Sequence, residues 1–303
     1  MARLLTGAQR DATLIPKRSD HWGFYVKGCN GCARAPHLDL GCAQANFDSA
    51  KALLKDLGAE VVGPAELVMT PEDVAAAVIP AGDFYILFMA SFSDASPAVE
   101  LLGKVPGPVL LWSMREPGAV GDRLKLNSMC GANLAAHALM SAGQSFRHLH
   151  GNANESQVRT KLIAALAGNL PEATSPSLNV GPLADVAETK AGLARLSGKR
   201  IGTIGEAPNG FTPCTFDGPK LKELFGLNIL PLTMVDAFAK IAEVPAARAE
   251  AAHSAAVSAQ PSLSSVNTLE AVKVAGVEVA LDDWQEKDHL DAIAVRCWPE
   301  FPT

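Results

Sequence analysis

At 303 residues the chain is long enough for two domains of ordinary size, each with its own buried core. Hydrophobic residues make up 48% of it and charged ones 19%, the net charge is −6 and no block of Lys or Arg stands out, which argues against nucleic acid or an anionic membrane as partner. No apolar run reaches transmembrane length and Met1–Gly7 lacks the apolar core of a signal peptide, so a cytoplasmic protein with six reduced cysteines is expected.

Taken in chain order, the first unusual feature is Cys29-x2-Cys32-x4-His37-x4-Cys42, which has the spacing of a small zinc knuckle. Ala33 and Pro36 stand where such knuckles favour glycine, and no basic or aromatic surroundings suggest RNA. A structural zinc and a reduced cysteine-rich loop are the two readings, and a zinc-dependent interaction protein would follow from the first. Phe47 to Leu57 places Phe47, Ala50, Leu53, Leu54 and Leu57 on one helical face and stops at Gly58. Glu60-Val61-Val62 predicts a short strand. Thr70-Pro71-Glu72-Asp73 is a helix start, with a Thr cap, Pro in the first turn and acids at the positive end of the dipole.

Phe84 to Met89 and Pro108 to Trp112 are continuous apolar runs, the pattern of strands covered on both faces. A helix is expected over Gly131–Ala142, a strand over Phe146–Leu149 and a helix over Glu155–Leu166. Gly168 to Pro182, rich in Gly, Pro, Ser and Asn, breaks the rhythm as a linker or lid. A helix at Leu183–Leu196 and a strand at Lys199–Ile204 begin a second unit. It continues with a helix near Pro219–Phe225, a strand at Asn228–Leu232, helices from Met234 to about His289 and a strand at Ala292–Val295. Alternating strands and helices joined by short loops predict an α/β protein: two consecutive open α/β units with mainly parallel sheets, divided as 1–170 and 171–303, the second incomplete.

Chemistry concentrates at predicted strand ends, where open α/β sheets bind ligands. Ser113 to Gly131 carries Glu116, Arg123, Asn127 and Ser128 between a buried strand and the next helix. Asn127 or Ser128 as a helix cap and an Arg123–Glu116 ion pair are the plain alternative to a binding role. Ile201 to Phe211 lacks the third glycine of a dinucleotide turn, so no nucleotide is expected there. His137, His148, His150, His253 and His289 read as surface or satisfied core histidines, and no Ser-His-Asp elbow or Walker loop is present. The last strand runs into Arg296-Cys297-Trp298-Pro299-Glu300-Phe301, which puts an Arg, an indole and a carboxylate at a strand end, where an open α/β sheet places ligand-binding groups.

Three stretches together resemble the N-terminal part of the L-fucose isomerase-like family, which includes L-fucose and L-arabinose isomerases. They are Pro108–Gly143, with Glu116-Pro117, Arg123-Leu124-x-Leu126-Asn127-Ser128-x-Cys130-Gly131 and Ala136-His137-Ala138-Leu139; Ile201–Phe225, with Gly205, Gly210-Phe211 and Asp217; and Asp291–Phe301. Order and spacing agree over about residues 45–303, while the first 45 match poorly.

The resemblance implies an aldose–ketose isomerase, an intramolecular oxidoreductase of carbohydrate metabolism, working as an oligomer through a divalent cation, typically Mn²⁺. It also implies that the metal-binding Glu, Asp and His follow the region similar to Arg296–Phe301. The chain is therefore expected to be a fragment, inactive alone, with its catalytic residues unassigned. Its candidate sugar-contacting groups are Arg296, Trp298, Glu300, Glu116, Arg123, Ser91 and Phe92. The expected partners are a small-molecule sugar and further copies of the chain. A non-catalytic sugar-binding α/β module is the alternative.

Overall fold

The computed structural model describes residues 21–27, 39–64, 66–68, 71–79, 82, 84–103, 105–107, 109–119, 124–170 and 186–296. The chain divides into two compact units: one comprises Met1–Pro176 together with the short segment Asn209–Pro213, the other Ser177–Pro208 and Cys214–Thr303. Among the described residues no helix is long and apolar enough to cross a membrane.

In the first unit, strands β1 (His21–Lys27), β2 (Glu60–Val62), β3 (Phe84–Met89), β4 (Val109–Ser113) and β5 (Phe146–His150) form one sheet in the order β2-β1-β3-β4-β5. Every pairing is parallel. Helices α1 (Leu40–Asp56), α2 (Pro71–Ala76), α3 (Ser96–Leu102) and α4 (Ser128–Ser141) lie between the strands in sequence, and α5 (Ser156–Leu166) follows β5. The expected α/β class with parallel sheets is what the chain adopts.

The physical reason is legible in β3 and β4, all of whose residues are buried. Alternation sends Phe84, Ile86 and Phe88 with Leu110 and Trp112 to one face, where Phe47, Leu54, Val158 and Leu162 of α1 and α5 cover them. Tyr85, Leu87 and Met89 with Val109 and Leu111 go to the other face, under Ala98, Leu102, Ala132 and Leu139 of α3 and α4. Trp112 is fully buried, its ring edge-on to Phe88 at 5.2 Å, and its indole N–H donates to the Gly151 carbonyl at 2.8 Å.

Several boundaries differ from expectation. Helix α1 begins seven residues before Phe47, because Asp39 caps it: its Oδ1 accepts the Cys42 amide at 2.8 Å. Helix α4 begins at Ser128 rather than Gly131; Asn127 occupies the cap position in a left-handed conformation, and its side chain makes no capping bond. Strand β1 has no counterpart in the sequence reading. The Thr70 cap lies outside the described residues, as does all of the expected Gly168–Pro182 linker beyond residue 170.

In the second unit, β6 (Arg200–Ile204) is the central strand between β7 (Asn228–Leu232) and β8 (Ala292–Val295), again with parallel pairing. Helices α6 (Val186–Ala194), α7 (Gly218–Phe225), α8 (Met234–Ala242), α9 (Ala246–Ala259) and α10 (Thr268–Asp288) complete it. Side chains of Asp217, Thr233 and Asn267 cap α7, α8 and α10. The buried cluster is small: Ile204, Ala237, Trp284 and Leu290, with Leu230, Leu232 and Met234 packed against it. Gly202 belongs to this packing, since a Cβ there would lie 2.6 Å from Trp284 Cη2 and 2.7 Å from Leu290 Cδ1.

Candidate functional site

In the sheet of the first unit the strand order reverses between β1 and β3, and in open parallel sheets ligands bind outside the carboxyl ends of the strands at such a point. The loops that follow β3 and β4 form the described part of this edge. Ser128 holds their starting points together: its hydroxyl donates to the Met89 carbonyl at 2.5 Å and accepts the Met114 amide at 2.9 Å. The Phe92 amide donates to the Leu126 carbonyl at 2.6 Å, which joins the two loops directly. Gly131, in the first turn of α4, permits this closeness, because a Cβ there would sit 2.9 Å from the Ser93 amide nitrogen.

Three sequence-predicted residues come together here. Ser91 is buried, with its backbone carbonyl against Gly131. Phe92 is half-buried, and its ring lies 6.0 Å from that of Phe211 at a 52° tilt. Glu116 turns its carboxylate onto successive backbone amides: it accepts from Lys125, from Leu126 at 3.0 Å and from Asn127 at 2.7 Å. These donors form a concave anion-binding nest, and the carboxylate is its occupant. Glu116 therefore shapes the loop and the left-handed Asn127 (φ 51°) that starts α4.

The segment Asn209–Pro213 packs against the same edge. The Ala95 amide donates to the Gly210 carbonyl at 3.1 Å, and Thr212 Oγ1 lies 2.7 Å from His137 Nδ1. Gly210, at φ +75°, is where a side chain would run into Asp94.

Arg115 after β4 and Glu155 after β5 make a forked pair at 2.8 and 3.0 Å, and Glu155 also accepts the Asn152 amide at 2.7 Å. The Arg115 guanidinium, followed by the backbone bond, holds the Glu155 carboxyl down to about 2. The pairing occupies both groups and rigidifies the turn after β5.

Arg296 closes β8 in the second unit. Its amide donates to the Ile204 carbonyl at 3.0 Å, and its side chain passes over Gly205 to the Glu206 carbonyl at 3.4 Å. It thus belongs to the carboxyl edge of its own sheet. Trp298, Glu300, Arg123, Cys29, Cys32 and His37 lie outside the described residues.

Cys42 sits in the first turn of α1, where burial and then the Asp39 carboxylate push its thiol above the ordinary value. Among the described residues no group of three or more His, Cys, Asp or Glu could hold a metal ion. They do not fit the divalent cation that the resemblance implies.

Sequence reasoning passed over one cluster. His148 and His150, read there as separate surface or core histidines, both reach the buried Ser113 hydroxyl, at 2.8 Å from Nε2 and 3.0 Å from Nδ1 respectively. The i, i+2 spacing of two histidines in a strand was the available signal, since it places both on one face.

No family model matches the chain. Among curated proteins it is similar to the sulfoquinovose isomerase of Alkalicoccus urumqiensis, 29% identical over 245 residues that make up 78% of this chain and 49% of that protein. It is also similar to the sulfoquinovose isomerase of Clostridium sp. (strain MSTE9), at 26% over 88% of this chain and 56% of that protein. A third, from Priestia megaterium (strain ATCC 12872 / QMB1551), is 24% identical over 87% of this chain and 55% of its own length. The chain spans about half the length of the curated relatives it matches. These relatives are sugar isomerases by name, and none of the names refers to L-fucose or L-arabinose.

Proposed function

We propose that this chain is the part of an aldose–ketose sugar isomerase, L-fucose isomerase-like in plan, that supplies substrate-contacting edges, and that the sugar is sulfoquinovose. The observation that carries the reading is the similarity to sulfoquinovose isomerases over 78–88% of the chain. It is supported by two parallel sheets whose carboxyl edges carry polar and aromatic groups.

Each edge contributes in its own right. In the first unit, Phe92 with Phe211 beside it offers an apolar surface to the C–H face of a sugar, on a loop braced by Ser128 and Glu116. Ser91 sets the backbone of that loop. In the second unit, Arg296 offers a guanidinium to an anionic substituent such as a sulfonate. Trp298, Glu300 and Arg123 are proposed as further contacts.

Moving a proton between adjacent carbons of a sugar needs a base beside an enolate oxygen that is neutralised. The Mn²⁺ or similar cation proposed for that task would be held by residues other than the described ones, since these do not fit it. Because the chain covers about half of its relatives, turnover is proposed for a longer assembly or an oligomer in the cytoplasm, and not for this chain alone.

Calorimetry of the chain with sulfoquinovose and with glucose tests the reading. The expected result is preference for the sulfonated sugar by about ten-fold or more, lost in Arg296→Ala, as for removal of one charge-assisted contact. Equal affinity for both sugars, or binding of neither, would overturn it. Ketose formation by the chain alone with added Mn²⁺ would overturn the proposal that turnover needs a longer assembly.

A further inference from the structure

Ser113 closes β4 and stands opposite His150 in the β4–β5 ladder, as Leu111 stands opposite His148. Strand alternation therefore places Ser113, His148 and His150 on one face, the face that carries Val109, Leu111 and Phe146. Strand β5 is the outer strand of its sheet, and His148 presents one side of its ring to solvent there while the Ser113 hydroxyl is fully buried. The two imidazole centroids are 6.3 Å apart, with the hydroxyl oxygen bonded to a nitrogen of each. Met129 Sδ, 3.8 Å from that oxygen, is a weaker acceptor than either ring.

A serine hydroxyl carries one proton, and a neutral imidazole carries one N–H. Between two ring nitrogens the hydroxyl donates to one and accepts from the other, so the tautomers of the two rings are complementary. In the first arrangement His148 accepts at Nε2 and keeps its proton on Nδ1, while His150 donates from Nδ1 and leaves Nε2 bare. In the second, His148 donates from Nε2 and leaves Nδ1 bare, while His150 accepts at Nδ1 and carries its proton on Nε2. Burial, then the neighbouring ring and Lys161, favours neutral His148; burial, then Arg115, favours neutral His150 against the opposing Glu155.

We propose that His150, Ser113 and His148 form a proton relay that joins the carboxyl edge of the first sheet to solvent beside β5. A proton from a donor at the edge bonds to the bare Nε2 of His150. The Nδ1 proton of His150 passes to Ser113 Oγ, the Ser113 proton passes to Nε2 of His148, and the Nδ1 proton of His148 leaves to water. Four bonds to hydrogen form and four break, no electrons change hands, and one proton has crossed with neither ring holding a charge at the end. The triad is left in the second arrangement, and the reverse transfer resets it. The group served is one that gives up or takes a proton at the sheet edge, such as a hydroxyl beside a carbonyl. The relay stands on its own geometry and not on the identity of the sugar.

Nitrogen-15 NMR of histidine-labelled chain at about pH 7.5 tests this directly, with His148→Gln and His150→Gln assigning the rings. Both rings are expected to interconvert between complementary tautomers at one shared rate, and that rate should fall along a curved line as D₂O replaces H₂O, because several protons move together. In Ser113→Ala the shared rate is expected to drop by about ten-fold or more, leaving the rings independent. Rings locked in single tautomers, or exchange unchanged in Ser113→Ala, would overturn the relay. The solvent-mixture measurement needs only the unsubstituted chain, so a linear dependence overturns the relay whether or not the variant folds.

Discussion

The two sheets share parallel pairing and differ in how they are held. In the first unit every residue of β3 and β4 is buried between two helical layers. In the second, β7 and β8 contain no buried residue, and the buried cluster is four side chains grouped around Trp284. Around that cluster stand side-chain caps on α7, α8 and α10, and exposed ion pairs between residues distant in sequence, Arg248–Asp283 and Lys199–Asp291. Such caps contribute about 1 kcal/mol each and exposed pairs about 0–1 kcal/mol, against about 1.5–3 kcal/mol for one fully buried large side chain. The same parallel pattern is thus set between two full helical layers in one place and on a small packed cluster in another, where each cap is a larger share of what holds it.

The sharpest way to break the comparison is Trp112→Ala, which removes a fully buried indole and leaves the Gly151 carbonyl without its donor. We expect a loss of about 3–5 kcal/mol by denaturant titration, while Val235→Ala on exposed α8 changes stability by no more than about 0.5 kcal/mol. Gly202→Ala probes a tight contact of the second unit's core. The added methyl group must displace Trp284 or Leu290, and a cost of about 1–3 kcal/mol with a change in tryptophan emission is expected. A neutral outcome would show that the small core yields easily.

The smallest effect is in pH. Both His148 and His150 are held below the ordinary imidazole value of 6.5, so their contribution is full above that value and is lost as pH falls below it. Glu155, lowered from 4.5 to about 2, adds an exposed-pair contribution of about 0.2–1 kcal/mol, present above pH 4.5 and lost as pH falls through about 2. Urea midpoints should therefore decline in two acid steps. His148→Gln with His150→Gln should remove the upper step and leave the lower.

Much of the fold was legible from apolar pattern. Phe84–Met89 and Asn228–Leu232 are strands over those residues, and Phe47, Ala50, Leu53, Leu54 and Leu57 are all buried. Helix ends were less legible where long-range bonds decide them. Ser128 resembles a cap in sequence, yet its hydroxyl ties Met89 to Met114, a contact that exists only once β3 and β4 are paired. Likewise the Ser113 cluster depends on the β4–β5 register, which residue spacing alone does not contain. That Glu116 follows a buried strand was legible, but its inward turn depends on the fold of its own loop.

That inward turn makes the loop after β4 a receptor that carries its own ligand. Three amides arranged to receive an oxyanion are already saturated by Glu116, so a sulfonate or phosphate meeting this spot would have to evict a tethered competitor whose effective concentration far exceeds its own. The loop keeps its shape whether or not an anion is dissolved nearby. On the reading proposed above, a sulfonate would therefore have to be met elsewhere in the molecule.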